Sequence, residues 1–207
     1  MRFKDRKEAG VLLAQKLIQY KESGAVVYAI PRGGVVLGVE IARVLVIPLD
    51  LVIVRKIGHP NNSEYAVCVV AEDHHFLCNP REKATLDPKW LVEAVENERR
   101  EAVRRSKVYW GDRPRPSALL KTAIVVDDGV ATGMTFLVAL NEVRHLKPAK
   151  LVAAIPVLPA EMVEKIKAEA DEVVYLDAPE DFAGAVGSYY DNFPQVEDEE
   201  VIKLLTT

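Results

Sequence analysis

Two adjacent carboxylates, Asp127-Asp128, stand at the end of an apolar run, Ala123-Ile124-Val125-Val126. Gly129, Val130, Ala131, Thr132, Gly133, Met134 and Thr135 follow. A helical pattern then begins near Met134 with Phe136, Leu137, Leu140 and Val143. The order reads as strand, acidic turn, phosphate loop, helix. Backbone N–H groups of such a loop, with the positive end of the helix behind them, suit a monoester phosphate. Gly133 allows close backbone approach, and Thr132 and Thr135 add hydroxyl donors. Asp127 and Asp128 repel phosphate, so they must serve otherwise, by holding hydroxyls or by holding Mg²⁺ through water. A ligand with a phosphate at one end and a diol nearby fits, which describes a ribose 5-phosphate.

The segment resembles the 5-phosphoribosyl-1-pyrophosphate (PRPP) motif of type I phosphoribosyltransferases. In that family two acidic residues follow a hydrophobic strand, and a Thr-Gly-x-Thr phosphate loop follows them. Asp127, Asp128, Thr132, Gly133 and Thr135 match that pattern, with Gly129, Ala131 and Met134 inside it. The resemblance implies PRPP as substrate, a small heterocyclic acceptor and Mg²⁺ as cofactor, with Asp127 and Asp128 near the metal.

The elements that would position this motif alternate along the chain. Asp5 and Glu8 form a capping-box pattern. Val11, Leu12, Leu17 and Ile18 give a helical face to about Tyr20. A strand over 25–30 ends at Pro31-Arg32-Gly33-Gly34, and a helix follows over 35–45. A second strand, 49–54, ends at Arg55-Lys56, and 57–64 read as a polar turn. Segments 65–71 and 76–78 read as a hairpin around Asp73-His74, and Pro88 to about Tyr109 as a long charged helix. Strands at 151–157 and 172–176 flank a helix over 159–170, and the tail from Asp177 is irregular. This pattern predicts an α/β fold with a mainly parallel sheet and helices on both faces. It predicts one domain over 1–207, with 57–116 as an inserted mobile region and 177–207 as a hood.

Ligands in such sheets bind beyond the carboxyl ends of strands. Three polar clusters fall there: Arg32-Gly33-Gly34, Arg55-Lys56 and Asp127-Asp128. Alone, the first is a Gly-Gly turn opening a helix. Beside the PRPP motif it resembles the family's pyrophosphate loop, which often holds a non-proline cis peptide. Lys56 falls where many members place a basic residue on pyrophosphate. The 57–110 segment falls where the family carries a loop that closes over PRPP, and Glu64 is placed to reach the site. Phe182, Tyr189, Tyr190 and Phe193 fall where a variable hood selects the acceptor by aromatic stacking. His74-His75 read as turn residues. Ala131 stands where 6-oxopurine members carry an Asp, so the adenine-type pattern is closer.

The 207 residues are 49% hydrophobic, enough for a sizeable core, and their net charge of −4 argues weakly against broad nucleic-acid binding, a local basic patch remaining open. Two cysteines, Cys68 and Cys78, in a chain of this size predict a reducing cytoplasm without a disulfide scaffold, and Cys68, in an apolar run, reads as a core residue rather than a nucleophile. No apolar stretch suggests a membrane span, and a homodimer is compatible with the sequence. Neither G-x-G-x-x-G nor G-x-x-x-x-G-K-[ST] occurs. The competing reading is a PRPP-binding or RNA-binding regulator that uses the same fold without turnover.

Overall fold

The computed structural model describes residues 1–72, 75–111 and 113–206, without the side chains of Ser63 and Glu64. The turn at Asp73-His74 and the reach of Glu64 therefore lie outside the described residues. A parallel sheet forms the centre, from β1 (Val26–Ala29), β2 (Leu49–Leu51), β6 (Thr122–Val126), β7 (Lys150–Val157) and β8 (Glu172–Asp177). Its order is β2-β1-β6-β7-β8, and every pair is parallel. A second, antiparallel sheet holds β3 (Val54–His59), β4 (Asn62–Ala71) and β5 (Phe76–Cys78).

Both faces of the central sheet are covered, as near-continuous apolar strands require. Val27, Ala29, Ile124, Val126, Val152 and Ala154 face α1 (Arg6–Lys16), α2 (Gly33–Leu45) and α7 (Asp198–Thr206). The alternate residues Val26, Tyr28, Val125, Ala153 and Ile155 face α5 (Met134–His145) and α6 (Ala160–Lys167). This alternation is the two-residue period of a strand. After the short α3 (Pro80–Lys83), α4 (Pro88–Trp110) spans two cores. Leu91 and Val95 pack under the antiparallel sheet, whereas Ala102, Tyr109 and Trp110 join the α7 side of the main core.

Several expectations change here. The run 49–54 is not one strand. It breaks after Leu51, and Val54 opens β3 in the other sheet, so Arg55 and Lys56 begin an antiparallel strand instead of ending a parallel one. Residues 57–64 are mostly strand, because β3 and β4 pair almost to their turn. On α1 the buried stripe is Ala9, Gly10, Leu13 and Ala14, while Ile18 is 53% exposed. The tail is not wholly irregular: α7 buries Val201. Cys68 is fully buried as expected, but it is bonded to Cys78 because the β4–β5 register sets the two side by side. Cysteine usage therefore no longer argues for a reducing compartment. No helix among the described residues is long and apolar enough to cross a membrane.

Leu140 is fully buried on α5, the helix that presents the phosphate-type loop. Leu140→Ala is expected to lower unfolding free energy by about 2–5 kcal/mol, the cost of a core cavity, as measured by urea denaturation.

Candidate active site

The parallel register sets the acidic pair directly beside the first loop. Ala29 on β1 pairs with Val126 on β6, and the Ile30 N–H donates to the Val126 carbonyl. The chain then passes a cis peptide between Pro31 and Arg32 and enters α2. A Cβ on Gly33 would overlap the Asp128 carboxylate; one on Gly34 would lie 3.0 Å from the Asp127 Cα. Only glycine permits this approach of α2 to the acids.

The loop after β6 is shaped by Gly133, which has φ of 82° and caps α5. Among the described residues, no hydrogen bond uses the N–H groups of Ala131, Thr132, Gly133, Met134 or Thr135. The loop lines a cleft of about 940 Å³. An open row of donors at the start of a helix is geometry that suits an anion.

Across the cleft lie Asp127 and Asp128, both half-buried. The Asp128 N–H donates to Asp127 Oδ1 at 2.8 Å. Arg6, from the first turn of α1, donates through Nε to Asp128 Oδ2 at 2.7 Å. Its Nη1 donates to the Pro194 carbonyl at 2.7 Å, and its guanidinium lies 3.6 Å from the Phe193 ring centroid. The Tyr190 hydroxyl donates to the Asp128 carbonyl at 2.6 Å. Burial and the neighbouring Asp128 charge push the Asp127 carboxyl well above its ordinary range. Burial also pushes Asp128 up, opposed by Arg6. Of the two carboxylates Arg6 hydrogen-bonds only that of Asp128, so Asp127 is pushed up the further of the pair.

Of the sequence-predicted residues, Arg32, Gly33, Arg55, Lys56, Asp127, Asp128, Gly129, Ala131, Thr132, Gly133 and Thr135 line this one cleft. Lys56 is exposed, and Arg55 Nε donates to Glu98 on α4 at 2.8 Å. Arg32 lies 3.3 Å from Asp198 on α7, whose carboxylate also accepts from Tyr109 at 2.6 Å. Gly34 packs behind the acids, and Met134 packs toward Val69 and Ala71. Phe182 lines a neighbouring pocket with Ala131, Thr132 and Glu180, while Phe193 lines the cleft itself. Tyr189 is not a cleft wall. It is 9% exposed, stacks on Phe182 at 5.1 Å and belongs to the main core.

Sequence reasoning missed Arg6, Arg105 and Asp198. Arg105 reaches the cleft from α4, within a charge run that reads as a solvated face. Arg6 meets Asp128 across 122 positions and Asp198 meets Arg32 across 166, distances that no local pattern reveals.

A family model described as the phosphoribosyl transferase domain matches residues 5–193. A curated Mycobacterium tuberculosis (H37Rv) protein with the provisional name phosphoribosyl transferase is 38% identical over 205 residues, 98% of this chain and 46% of its own. The chain thus spans about half the length of the curated relatives it matches. The crystal structure of TT1426 from Thermus thermophilus aligns with a TM-score of 0.81 at 41% identity, covering 99% of this chain and 98% of that one. The AQ2163 protein from Aquifex aeolicus shares the fold at a TM-score of 0.51 and 13% identity, covering 84% and 74%.

The raised Asp127 sets a pH dependence. Above the ordinary value of 3.8 the folded chain binds more protons than the unfolded chain, so this group lowers stability as pH rises. Asp127→Asn removes that cost. In metal-free buffer the variant is expected to melt above the parent at pH 8, with the gap closing as pH falls toward 4; each ~1 kcal/mol appears as about 2–4 °C. Differential scanning calorimetry across that range measures it.

Proposed function

The chain belongs to the phosphoribosyltransferase family, and on that premise we propose that it transfers the 5-phosphoribosyl group of PRPP to a ring nitrogen of a small heterocycle. The ribose C1–oxygen bond to pyrophosphate breaks, and its electron pair leaves with pyrophosphate. A C1–nitrogen bond forms, and the acceptor nitrogen loses its proton. No protein nucleophile is required, so the chain must bind, orient and exclude water.

The observation that carries this reading is the shared cleft: free loop N–H groups on one wall and two carboxylates on the other. The loop over 131–135 and the Thr132 and Thr135 hydroxyls hold the 5-phosphate. Asp127 and Asp128 accept from the ribose hydroxyls. Arg32 and Lys56 meet the pyrophosphate, whose charge grows as the bond breaks. Phe182, in the pocket beside the loop, offers a flat face to the acceptor.

The acid pair also fits Mg²⁺. The donors are hard carboxylate oxygens, and no group of three or more ligating side chains exists among the described residues. Mg²⁺ is commonly held by one or two carboxylates, water and substrate phosphates rather than by a protein cage. When bound there, the ion would neutralise charge on the leaving pyrophosphate.

One observation favours the non-catalytic alternative: Arg6 and Asp198 already engage Asp128 and Arg32. Incubation with PRPP, Mg²⁺ and a panel of purines, pyrimidines and related heterocycles separates the two. Transfer predicts pyrophosphate release with at least one acceptor, and a drop of about 10²–10³-fold in kcat/KM for Asp128→Asn. PRPP binding without pyrophosphate release across the panel would instead favour the regulator.

A further inference from the structure

The antiparallel sheet rests on α5, where Val138 packs against Val69 and Ala71 of β4. The start of β5 is thereby carried to the last turn of the helix. The Ala71 N–H donates to the His75 carbonyl at 2.9 Å, which fixes His75 just before β5. His145 is the last residue of α5. Two imidazoles 70 positions apart meet there, with His75 Nε2 lying 3.0 Å from His145 Nε2.

The other ring nitrogens decide what that contact holds. His145 Nδ1 is 2.8 Å from the Asn141 carbonyl. A carbonyl only accepts, so the proton of His145 is on Nδ1. His75 Nδ1 is 3.0 Å from Glu142 Oε2. An ionised carboxylate also only accepts, so His75 carries a proton on Nδ1 as well. A neutral imidazole has one N–H, so each Nε2 presents a lone pair. Two lone pairs this close repel unless a cation stands with them. The rings lean together at these atoms: their centroids are 3.8 Å apart and their planes are inclined by 37°.

The setting suits a metal ion as that cation. A histidine that binds a metal typically donates its other ring N–H to a carboxylate or a backbone carbonyl. His75 and His145 show one of each. Two nitrogens on a tetrahedral Zn²⁺ stand about 3.3 Å apart, close to the spacing found here. Glu142 adds negative charge, and the carbonyl end of α5 favours a cation. Arg144, next to His145, is turned away to Asp171 at 2.9 Å. His145 is exposed and His75 half-buried, which leaves access for an ion and its water. No group of three or more ligating side chains exists among the described residues, so water takes the remaining positions. Imidazole nitrogen selects Zn²⁺, Ni²⁺ or Cu²⁺ over Mg²⁺ and Ca²⁺.

We propose that His75 and His145 form a surface site for one divalent transition-metal ion, with Glu142 and the Asn141 carbonyl orienting the two ligands. The ion ties the antiparallel sheet to α5. The proposal does not depend on the activity assigned to the acid-pair cleft.

Zn²⁺ is the probe, added to the tag-free chain at pH 8 and followed by calorimetry and by magnetic resonance of the histidine rings and backbone amides. Mg²⁺ is the control. The expected result is saturable binding of one Zn²⁺ per chain, unaffected by excess Mg²⁺. The rings of His75 and His145 should shift while the Gly129–Thr135 amides stay unmoved. With free Zn²⁺ a hundredfold above Kd, the melting temperature should rise by about 5–10 °C. His145→Ala, at an exposed position, should fold like the parent and lose about tenfold or more in affinity, and Glu142→Gln about 10–100-fold. Absence of saturable Zn²⁺ binding to the parent chain overturns the proposal and assigns the place between the rings to a proton. Undiminished affinity in either variant, displacement by Mg²⁺, or shifts centred on Gly129–Thr135 overturn it as well.

Discussion

The structure depends on holding two adjacent carboxylates at the end of a buried strand. Such a pair is unfavourable: burial and mutual repulsion both push the protons back on. Arg6 is the principal counterweight. It comes from the first turn of α1, bonds Asp128, and is fixed in turn by the Pro194 carbonyl and the Phe193 ring. The N-terminal helix and the C-terminal arm therefore meet at the acid pair. Tyr190 completes the arrangement by donating to the Asp128 backbone. The tail is less a loose cover than part of the mounting for the carboxylates.

The same logic governs the cations. Arg55 is aimed by Glu98, and Arg32 is held by Asp198, which Tyr109 orients. Both supports come from elements remote in sequence, α4 and α7. Each cation is oriented before any anion arrives, which reduces the ordering cost of binding. An anion entering the cleft would have to compete with these carboxylates, so the arrangement trades some intrinsic attraction for geometry.

The part of the site that is legible in the sequence is local in space. From Ala123 to Thr135 a strand, a turn and a helix start follow each other directly, and each has its own signature in residue type and period. Two glycines after a strand foreshadow the close approach of Gly33 and Gly34 to the acids. Arg55 and Lys56 read correctly as polar punctuation but on the wrong strand, because the apolar run 49–54 hides the change of sheet after Leu51. Tyr189 shows the limit of reading a cluster by type: its aromatic neighbours reach cavities while it fills the core. The acidic first turn of α7 and its apolar spacing are readable, yet they are easily passed over in an aromatic-rich tail. Arg6, Arg105 and Asp198 are not readable, because their partners or the cleft they face come from other parts of the chain. The Cys68–Cys78 bond depends on a hairpin register that composition does not specify.

The central claim is that the loop and the acid pair hold opposite ends of one phosphoribosyl group. A crystal structure of the chain with PRPP and Mg²⁺ tests it most directly. The account predicts the 5-phosphate within hydrogen-bond distance of the N–H groups between Ala131 and Thr135, with the ribose hydroxyls on Asp127 and Asp128. A 5-phosphate bound elsewhere, with that loop empty, would contradict it.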